Sequence, residues 1–337
     1  MGCFIGIGIS NNHDPYIAGI EAATSAKKGC DTPDIAIVFA SIQYHQNKIL
    51  QGISSIINKN IIFGCSSYAE ISNVGISKNS VVVFLCSMED SQFSFAHSDF
   101  EGQQKNIGKK LIEQIMQNPD ENKEKLSLGL LFRTAGNPQE EQILETIQYY
   151  FPQLVIFGGM ASGDYDVGMQ DKNFWNSYIY DRGTIRQKDI LLAHLALPKN
   201  NYHPAFAFEH GWGIIGPVVE FTKCHKNKIY EVNHIPIFDY FRQFLGGDSD
   251  ELLLKSIYHY SFAVQIKDKN QYRTAIKAPV SLDFKNGYVS FSLLKIFKEK
   301  KVNWPNQIVF IFWMLLKRLL FVAKNLLEEY VLLLFLL

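Results

Sequence analysis

Short apolar runs of strand type alternate along the chain with segments in which apolar residues recur at helical spacing. Residues 4–9 alternate apolar side chains with glycine, residues 35–39 are continuously apolar, and residues 81–85 repeat that character. Residues 16–28 and 46–58 lie between such runs and carry alanine or apolar residues at helical spacing. This alternation of strand and helix patterns predicts an α/β fold.

Three of the predicted helices have one apolar side that should pack on a sheet. The polar segment before the first helix can cap its start, and Gly29 can end it. The apolar positions are Ile49, Leu50, Ile53, Ile56 and Ile57 in residues 46–58, Leu111, Ile112 and Ile115 in residues 108–116, and Ile143, Leu144 and Ile147 in residues 140–150.

One stretch combines a strand pattern with small residues typical of a binding site. An apolar run leads into Gly64, and Cys65, Ser66 and Ser67 follow, with Glu70 three residues later. Small residues let backbone amides approach a ligand closely, and a helix beginning near Ser66 would direct unpaired N–H groups at an anion. The stretch therefore predicts a small-molecule site, while capping of a helix by the two serines remains an open alternative.

The chain contains this pattern a second time. Residues 155–164 also run from an apolar strand through Phe-Gly into small residues and end on a carboxylate. Upstream, residues 34–41 correspond to residues 127–134. We therefore predict an internal duplication of sheet-and-helix lobes, with repeats at residues 34–102 and 127–213. The alternative is that any α/β protein repeats apolar strands at such spacing.

The charge and cysteine counts exclude several classes of protein. The 337 residues contain 33 Lys and Arg against 33 Asp and Glu, so no net charge favours nucleic acid or an anionic membrane as a partner. The five cysteines are widely spaced without a Cys-x-x-Cys pair, which indicates reduced thiols in a cytoplasmic protein, with neither a zinc site nor a disulfide framework. No secretory signal and no complete nucleotide-binding motif are visible, and we expect no cofactor. His97, His194, His203 and His225 lack metal-ligand spacing, so we expect no metal.

Three side chains in the two glycine segments could carry chemistry. The Cys65 thiol could act as a nucleophile if a helix terminus and an imidazole activated it, or it could be a small buried residue. Glu70 and Asp164 occupy similar places in the two repeats, where they could bind a ligand ammonium or cap a loop. The sequence leaves these alternatives open.

Two further places offer groups suited to a ligand. His210, Gly211 and Trp212 combine a polar and an aromatic side chain beside glycine, which can close a small-molecule site or pack in a core. Arg273 could hold a ligand carboxylate through two parallel hydrogen bonds or form a surface ion pair.

Four separated motifs carry a resemblance to a known family. They are Gly64-Cys65-Ser66-Ser67 with Glu70, Asn73-x-Gly75-Ile76-Ser77, Gly158-Gly159-x-Ala161-x-Gly163-Asp164, and His210-Gly211-Trp212-x-x-x-Gly216. In order and spacing they resemble the amino-terminal domain of the FIST family (F-box and intracellular signal transduction proteins). The likeness covers roughly residues 4–222, and a fainter likeness to the carboxy-terminal FIST domain covers residues 223–303, where we expect an incomplete α/β domain.

The resemblance implies a sensory module of intracellular signal transduction that binds a small polar ligand, such as an amino acid or a relative of one. It also implies an output partner, such as a histidine kinase or a methyl-accepting protein. Two other classes stay open, a cysteine-dependent enzyme of acyl or amide chemistry using Cys65 and an interaction scaffold without a pocket. The residues expected to bind the ligand are Gly64, Cys65, Ser66, Ser67, Glu70, Gly158, Gly159, Asp164, His210, Gly211, Trp212 and Arg273.

Residues 304–337 resemble neither domain. Residues 308–316 are apolar, but charged residues interrupt the leucine-rich remainder, and a transmembrane helix needs about 20 apolar residues with few charges. A shifted reading frame or a truncation would explain this tail, and a membrane-associating helix is the alternative.

Overall fold

The structure, a computed structural model, describes most of the chain. The described residues are 2–100, 104–116, 125–134, 140–163, 176–199, 202, 212–225, 227–246, 249–257, 260–268, 271–277, 279–291 and 308–313. The chain divides into two compact units between residues 206 and 207.

The first unit begins with a lobe of one sheet and two helices. Its elements are β1 (Cys3–Ser10), α1 (Pro15–Lys27), β2 (Ile35–Ser41), α2 (Gln46–Ser54), β3 (Ile62–Ser67), β4 (Glu70–Ser72), β5 (Gly75–Ser77) and β6 (Val81–Met88). The strand order is β1-β6-β2-β3, in which β2 and β3 are parallel and the other pairs are antiparallel. The short strands β4 and β5 form a hairpin between β3 and β6.

The helices of this lobe form where the sequence supplies a cap and a face for the sheet. The Asp14 side chain accepts hydrogen bonds from the backbone N–H groups of Tyr16 and Ile17, at 2.8 and 3.1 Å, and Pro15 opens α1. The alanines of α1 and the isoleucines of α2 are buried against the strands in one apolar core. This burial fixes both helices on the outer face of the sheet.

A second lobe repeats the order of elements. It contains β7 (Gln92–Asp99), α3 (Gln104–Met116), β8 (Lys125–Arg133), α4 (Glu140–Tyr150), β9 (Val155–Met160), β10 (Ile179–Asp181), β11 (Thr184–Arg186) and β12 (Asp189–Pro198). Its sheet has the order β7-β12-β8-β9, again with one parallel pair, β8 and β9. In chain order, the β10–β11 hairpin corresponds to the β4–β5 hairpin of the first lobe. In the structure, however, β10 pairs with β3 and extends the first lobe's sheet.

A close approach of two helices recurs at matching places in the lobes. A β-carbon at Gly19 of α1 would lie 2.5 Å from the Ile49 carbonyl oxygen of α2. A β-carbon at Gly108 of α3 would lie 2.8 Å from the Ile143 carbonyl oxygen of α4. Each glycine is the fifth residue of its helix, and each carbonyl oxygen belongs to the fourth residue of the facing helix. The two helix pairs therefore cross at equivalent points.

The two lobes pack through phenylalanine rings of their sheets. Phe132 of β8 contacts Phe39 of β2 and Phe63 of β3, with ring centroids 5.7 and 5.2 Å apart. Phe95 of β7 lies 5.9 Å from Phe63. Such ring pairs stabilise a contact by about 0.5–1.5 kcal/mol beyond the apolar area that they bury. The inner faces of the sheets therefore meet at an aromatic layer.

The matching strand order favours repeat boundaries that differ from the predicted ones. β1 pairs with β6 as β7 pairs with β12, so each lobe begins with the strand before its first helix. The predicted repeats, residues 34–102 and 127–213, begin one strand later and place β7 at the end of the first copy.

The second unit has its own strands, helices and core. Its first sheet has the order β13 (Trp212–Val219), β21 (Ile308–Trp313), β17 (Tyr260–Asp268) and β18 (Gln271–Lys277). Phe241, Phe262 and Phe291 lie in its apolar core. The remaining elements are β14 (Lys223–His225), β15 (Lys228–Val232), β16 (Ile235–Pro236), β19 (Pro279–Asp283), β20 (Tyr288–Phe291), α5 (Ile237–Leu245) and α6 (Asp250–Ile257).

The predicted α/β class is confirmed, and one detail of a helix is wrong. Ile143 and Ile147 of α4 are fully buried, but Leu144, predicted on the same inner face, is 38 % exposed. Successive residues of a helix are separated by about 100°, so Leu144 lies on the flank of the buried stripe. Of the predicted atypical tail, the structure describes residues 308–313, which form β21.

Candidate functional site

The first glycine segment lies in a strand. Gly64 to Ser67 are the last four residues of β3, and the chain then enters the β4–β5 hairpin. No helix begins near Ser66, so the condition under which helical N–H groups would face an anion there is not met. The physical reason is the neighbouring backbone, because β3 pairs in parallel with β2 and the Ser66 N–H donates to the Tyr178 carbonyl oxygen at 2.9 Å.

The two glycines of the repeated pattern have a steric role. Gly64 in β3 and Gly158 in β9 have φ of +154° and +146°. A β-carbon at either position would lie 1.9 Å from a carbonyl oxygen of the paired strand, that of Val38 or that of Leu131. Any larger residue would push the parallel strands apart. Contact of these glycines, or of Gly159 beside them, with a ligand stays a prediction.

The Cys65 thiol is buried in the sheet. Cys65 is only 5 % exposed, and burial raises the pKa of its thiol to about 12. The thiolate, which is the nucleophilic form, is therefore scarce at neutral pH. This environment opposes the covalent chemistry that Cys65 would need in a cysteine-dependent enzyme.

Ser66 joins the two glycine segments directly. Its hydroxyl donates to the Ser162 carbonyl oxygen and accepts from the Tyr178 N–H, both at 2.9 Å. Its own carbonyl oxygen accepts from the Ser162 N–H at 3.0 Å. The ends of β3 and β9 are thus brought together as the repeat suggested, but Ser66 binds protein groups there.

Glu70 is held by serine donors. The carboxylate, 1 % exposed, accepts from the Ser67 hydroxyl at 2.7 Å and from the Ser80 hydroxyl and N–H at 2.6 and 3.2 Å. Burial raises the pKa of Glu70, and the hydrogen bonds from Ser80 and Ser67 oppose that rise. The carboxylate fixes the ends of the β4–β5 hairpin.

The other predicted ligand residues are spread over the chain. Asp164, His210 and Gly211 lie outside the described residues. Trp212 begins β13 and Arg273 lies in β18, both in the second unit. Ligand binding by these residues stays a prediction.

A cleft lies at the end of the same strands. It has a volume of about 550 Å³, within the range usual for small-ligand pockets. β1, β2 and β3 run in the same direction, so their carboxyl ends meet at one edge, and ligands of open α/β sheets bind outside such ends. We name it the strand-end cleft, and its lining residues are Asn11, His13, Ser41, Ile42, Gln43, Tyr44, Tyr68, Lys78 and Asn79.

Internal hydrogen bonds fix the walls of the strand-end cleft. The Tyr44 hydroxyl lies 2.8 Å from the carbonyl oxygens of both Asn12 and Asn79, between which its single hydrogen is shared. The buried Gln46 amide donates to the carbonyl oxygens of Ser41 and Tyr44, at 2.9 and 2.8 Å. The loops after β1, β2 and β5 are thereby held in one arrangement, which lowers the entropic cost of binding.

Charged groups near β12 of the second lobe compensate one another. Arg186 lies 2.9 Å from the Asp181 carboxylate and 3.8 Å from that of Asp189. His97 Nδ1 lies 3.6 Å from the same Asp189 oxygen. Burial raises the pKa of Asp189 against the lowering by His97 and Arg186. Among the described residues, no group of three His, Cys, Asp or Glu side chains is arranged to hold a metal ion.

Comparison with known families shows which protein family the chain belongs to. The family model of the FIST N domain matches residues 34–235, which is more than half of the sequence. The chain belongs to the FIST family. FIST domains are associated with sensing in signal transduction. No curated protein matches the chain.

The strand-end cleft of this FIST chain was missed at the sequence level, although one signal for it is present. Residues 10–14 and 41–45, polar except for Ile42, follow two predicted strands and precede two predicted helices. Strand-to-helix loops of this kind line ligand sites in α/β folds. The predicted glycine segment lies in β3, and the lining residue Tyr68 directly follows the last residue of that strand, Ser67.

Within the described residues of this FIST chain, no helix is both long enough and apolar enough to cross a membrane.

Proposed function

We propose that this FIST chain is a cytoplasmic sensory module that binds a small polar ligand in the strand-end cleft. The observation that carries the proposal is the cleft itself, because polar side chains from four loops converge on it at the carboxyl ends of β1, β2 and β3. The association of the family with sensing supports the same function.

The predicted glycine segment in β3 supports the strand that carries part of the lining of the cleft. Ser67 of β3 pairs in register with the lining residue Ser41, and the Ile42 N–H donates to the Ser67 carbonyl oxygen at 3.1 Å. Gly64 and Ser66 hold β3 against β2 and the second lobe. In this proposal these residues position the cleft.

The β4–β5 hairpin is our candidate for the element that responds to the ligand. Tyr68 precedes it, Lys78 follows it, and both line the cleft, where Lys78 Nζ lies 2.6 Å from the Tyr68 hydroxyl. A ligand that contacts both residues would favour one position of the hairpin, which is what a signal requires. The hairpin would then contact a signalling partner, such as a histidine kinase or a methyl-accepting protein.

We also infer that the two lobes arose by internal duplication. The shared strand order, the paired glycines Gly64 and Gly158, and the helix contacts at Gly19 and Gly108 support this inference. Independent convergence on all three features is the less economical alternative.

A ligand panel tests the proposed function. We expect metabolites that bind the cleft to raise the melting temperature of the wild-type chain in a thermal-shift assay, because they bind the folded state alone. Asn11→Trp, at an exposed lining residue, should fill the cleft and abolish the shift. Gln51→Trp, at an exposed position of α2, is the matched control and should retain it. A shift that survives Asn11→Trp, or no shift with any compound, would contradict the proposal.

A further inference from the structure

A buried hydrogen bond connects the strand-end cleft of the first lobe with β10 of the second lobe. The Tyr180 hydroxyl in β10 donates to the side-chain carbonyl oxygen of Gln46, the first residue of α2. Tyr180 is fully buried, and Gln46 is only 6 % exposed. Given that the cleft is the ligand site of the proposed function, we propose that Tyr180 is a positioning residue of that site and acts on it through Gln46.

The partners of the Gln46 amide fix its orientation. Its Nε2 donates to the carbonyl oxygens of Ser41 and Tyr44, at 2.9 and 2.8 Å. These two acceptors require the NH₂ end of the amide, so the Oε1 end faces Tyr180 and accepts its hydrogen bond. Burial raises the pKa of Tyr180 well above its ordinary value, so the hydroxyl keeps the hydrogen that it donates. Each end of the amide therefore depends on the partners of the other end.

The loop between β2 and α2, which the Gln46 amide holds, contributes more lining residues than any other described loop, namely Ser41, Ile42, Gln43 and Tyr44. His45, the N-cap of α2, makes no side-chain hydrogen bond to the helix, so Gln46 supplies the side-chain contacts at this helix start. The Tyr44 hydroxyl extends the network to the carbonyl oxygens of Asn12 and Asn79. The loops after β1, β2 and β5 are therefore all connected to the Gln46 amide.

Tyr180 reaches this loop because β10 extends the sheet of the first lobe. Tyr180 pairs directly with Gly64 of β3, and directly paired residues direct their side chains to the same face of a sheet. Because Gly64 has no side chain, the Tyr180 ring has space on that face, where it lies in the apolar core with Ile49 and Ile53 of α2. A residue of the second lobe thus contacts the start of α2, from which the cleft loop is held.

Three variants of the full chain separate positioning of the loop from packing of the core. Tyr180→Phe keeps the ring but leaves the Gln46 oxygen buried without a donor, and Gln46→Met removes the contacts with the loop. Each single variant should lower the urea midpoint of unfolding, because one buried polar group loses its partner. The double variant replaces both partners by apolar groups, so we expect it to recover most of the midpoint without recovering the contacts with the loop.

Native-state hydrogen exchange measures the loop without a ligand. The N–H groups of Ile42 and Tyr44 are hydrogen-bonded, and the Thr134 N–H, which follows β8 in the second lobe, is the internal reference. Relative to Thr134, exchange at Ile42 and Tyr44 should be about tenfold or more faster in Tyr180→Phe and in the double variant. Tyr178→Phe, which removes the hydroxyl of a half-buried tyrosine two residues earlier, is the matched control and should leave these rates unchanged.

Titration calorimetry measures the consequence for the cleft. The probes are the twenty common amino acids, lactate and inorganic phosphate. A probe whose binding is abolished by Asn11→Trp should bind about tenfold or more weakly to Tyr180→Phe and to the double variant, because the affinity falls with the fraction of molecules whose loop is in place. Tyr178→Phe should bind it like the wild type.

The possible outcomes separate this inference from the proposed function. If loop exchange stays at the wild-type rate in Tyr180→Phe, or returns to it together with the urea midpoint in the double variant, the bond only stabilises the core and the inference is overturned. A probe that Asn11→Trp excludes but that binds Tyr180→Phe as tightly as the wild type also overturns the inference, while the cleft remains a ligand site. If no probe binds and the metabolite panel is equally silent, the proposed function fails, and this inference fails with it.

Discussion

Cys65 shows at the scale of one residue how an environment decides between chemistry and packing. We expect iodoacetamide at neutral pH to modify the exposed Cys3 and to leave Cys65 unmodified, because burial blocks access and keeps the thiol protonated. Peptide mass spectrometry of the native chain measures both sites, and labelling after denaturation is the control. Rapid modification confined to Cys65 in the native chain would instead favour a cysteine-dependent enzyme.

His194 makes the stability of the fold depend on pH. Its ring packs on Phe151, and burial lowers its pKa from 6.5 to about 4, so the folded chain keeps it neutral where the unfolded chain takes up a proton. Stability is therefore present above pH 6.5 and is lost as pH falls toward 4. We expect a loss of about 1–3 kcal/mol from this residue, measured by urea unfolding between pH 7 and pH 4.5.

His194→Leu should make that pH dependence shallower, because the apolar side chain takes up no proton in either state. The exposed His225→Gln is the matched control. Equal pH dependence in the wild type and in His194→Leu would show that other groups cause the acid sensitivity.

At the scale of elements, the parallel strand pairs depend on glycine. Gly64→Ala and Gly158→Ala should each lower the free energy of unfolding by about 3 kcal/mol or more, since the added β-carbon would lie 1.9 Å from a backbone oxygen. Gly75→Ala tests positive φ alone, because Gly75 has φ of +117° with no atom within 4 Å of an added β-carbon. We expect it to cost about 1 kcal/mol, and equal losses at all three positions in urea unfolding would contradict the steric explanation.

Local periodicity identified the elements, while contacts between distant residues decided their roles. The buried positions Ile49, Ile53 and Ile143 followed from helical spacing, which is a local property. The small size of Gly64 is visible in the sequence, but the reason for it is the Val38 carbonyl oxygen of another strand, which no local pattern reveals. The pairing of β10 with β3, more than 100 residues earlier, was not foreseeable for the same reason.

The predicted glycine segment ends at the same edge of the sheet as the strand-end cleft, but it does not define the lining of the cleft. Tyr68 and Ser41 adjoin or pair with the predicted segment, but Asn11 and Lys78 come from loops that carry no periodicity. A cleft exists where such loops meet, so its lining depends on the order of the strands, and strand order cannot be read from strand patterns.

At the scale of the whole first unit, one serine connects the two lobes. Ser66→Ala would leave the Tyr178 N–H and the Ser162 carbonyl oxygen without the hydroxyl that they contact in a buried place. A buried polar group that loses its partner costs about 1–3 kcal/mol, so we expect urea unfolding to show a loss of that size. Ser55→Ala, which removes the hydroxyl bond to the Gly52 carbonyl oxygen at an exposed position, is the matched control and should cost about 0.5 kcal/mol or less.

The same substitution has a second, local readout that a general loss of stability would not give. Because the Tyr178 N–H donates to Ser66, hydrogen exchange at Tyr178 should become faster in Ser66→Ala under native conditions, while exchange in α1 of the first lobe stays close to that of the wild type. Equal acceleration throughout the first unit would mean that Ser66 only supports global folding. Faster exchange confined to Tyr178 and its neighbours would show that the Ser66 hydroxyl holds this contact locally.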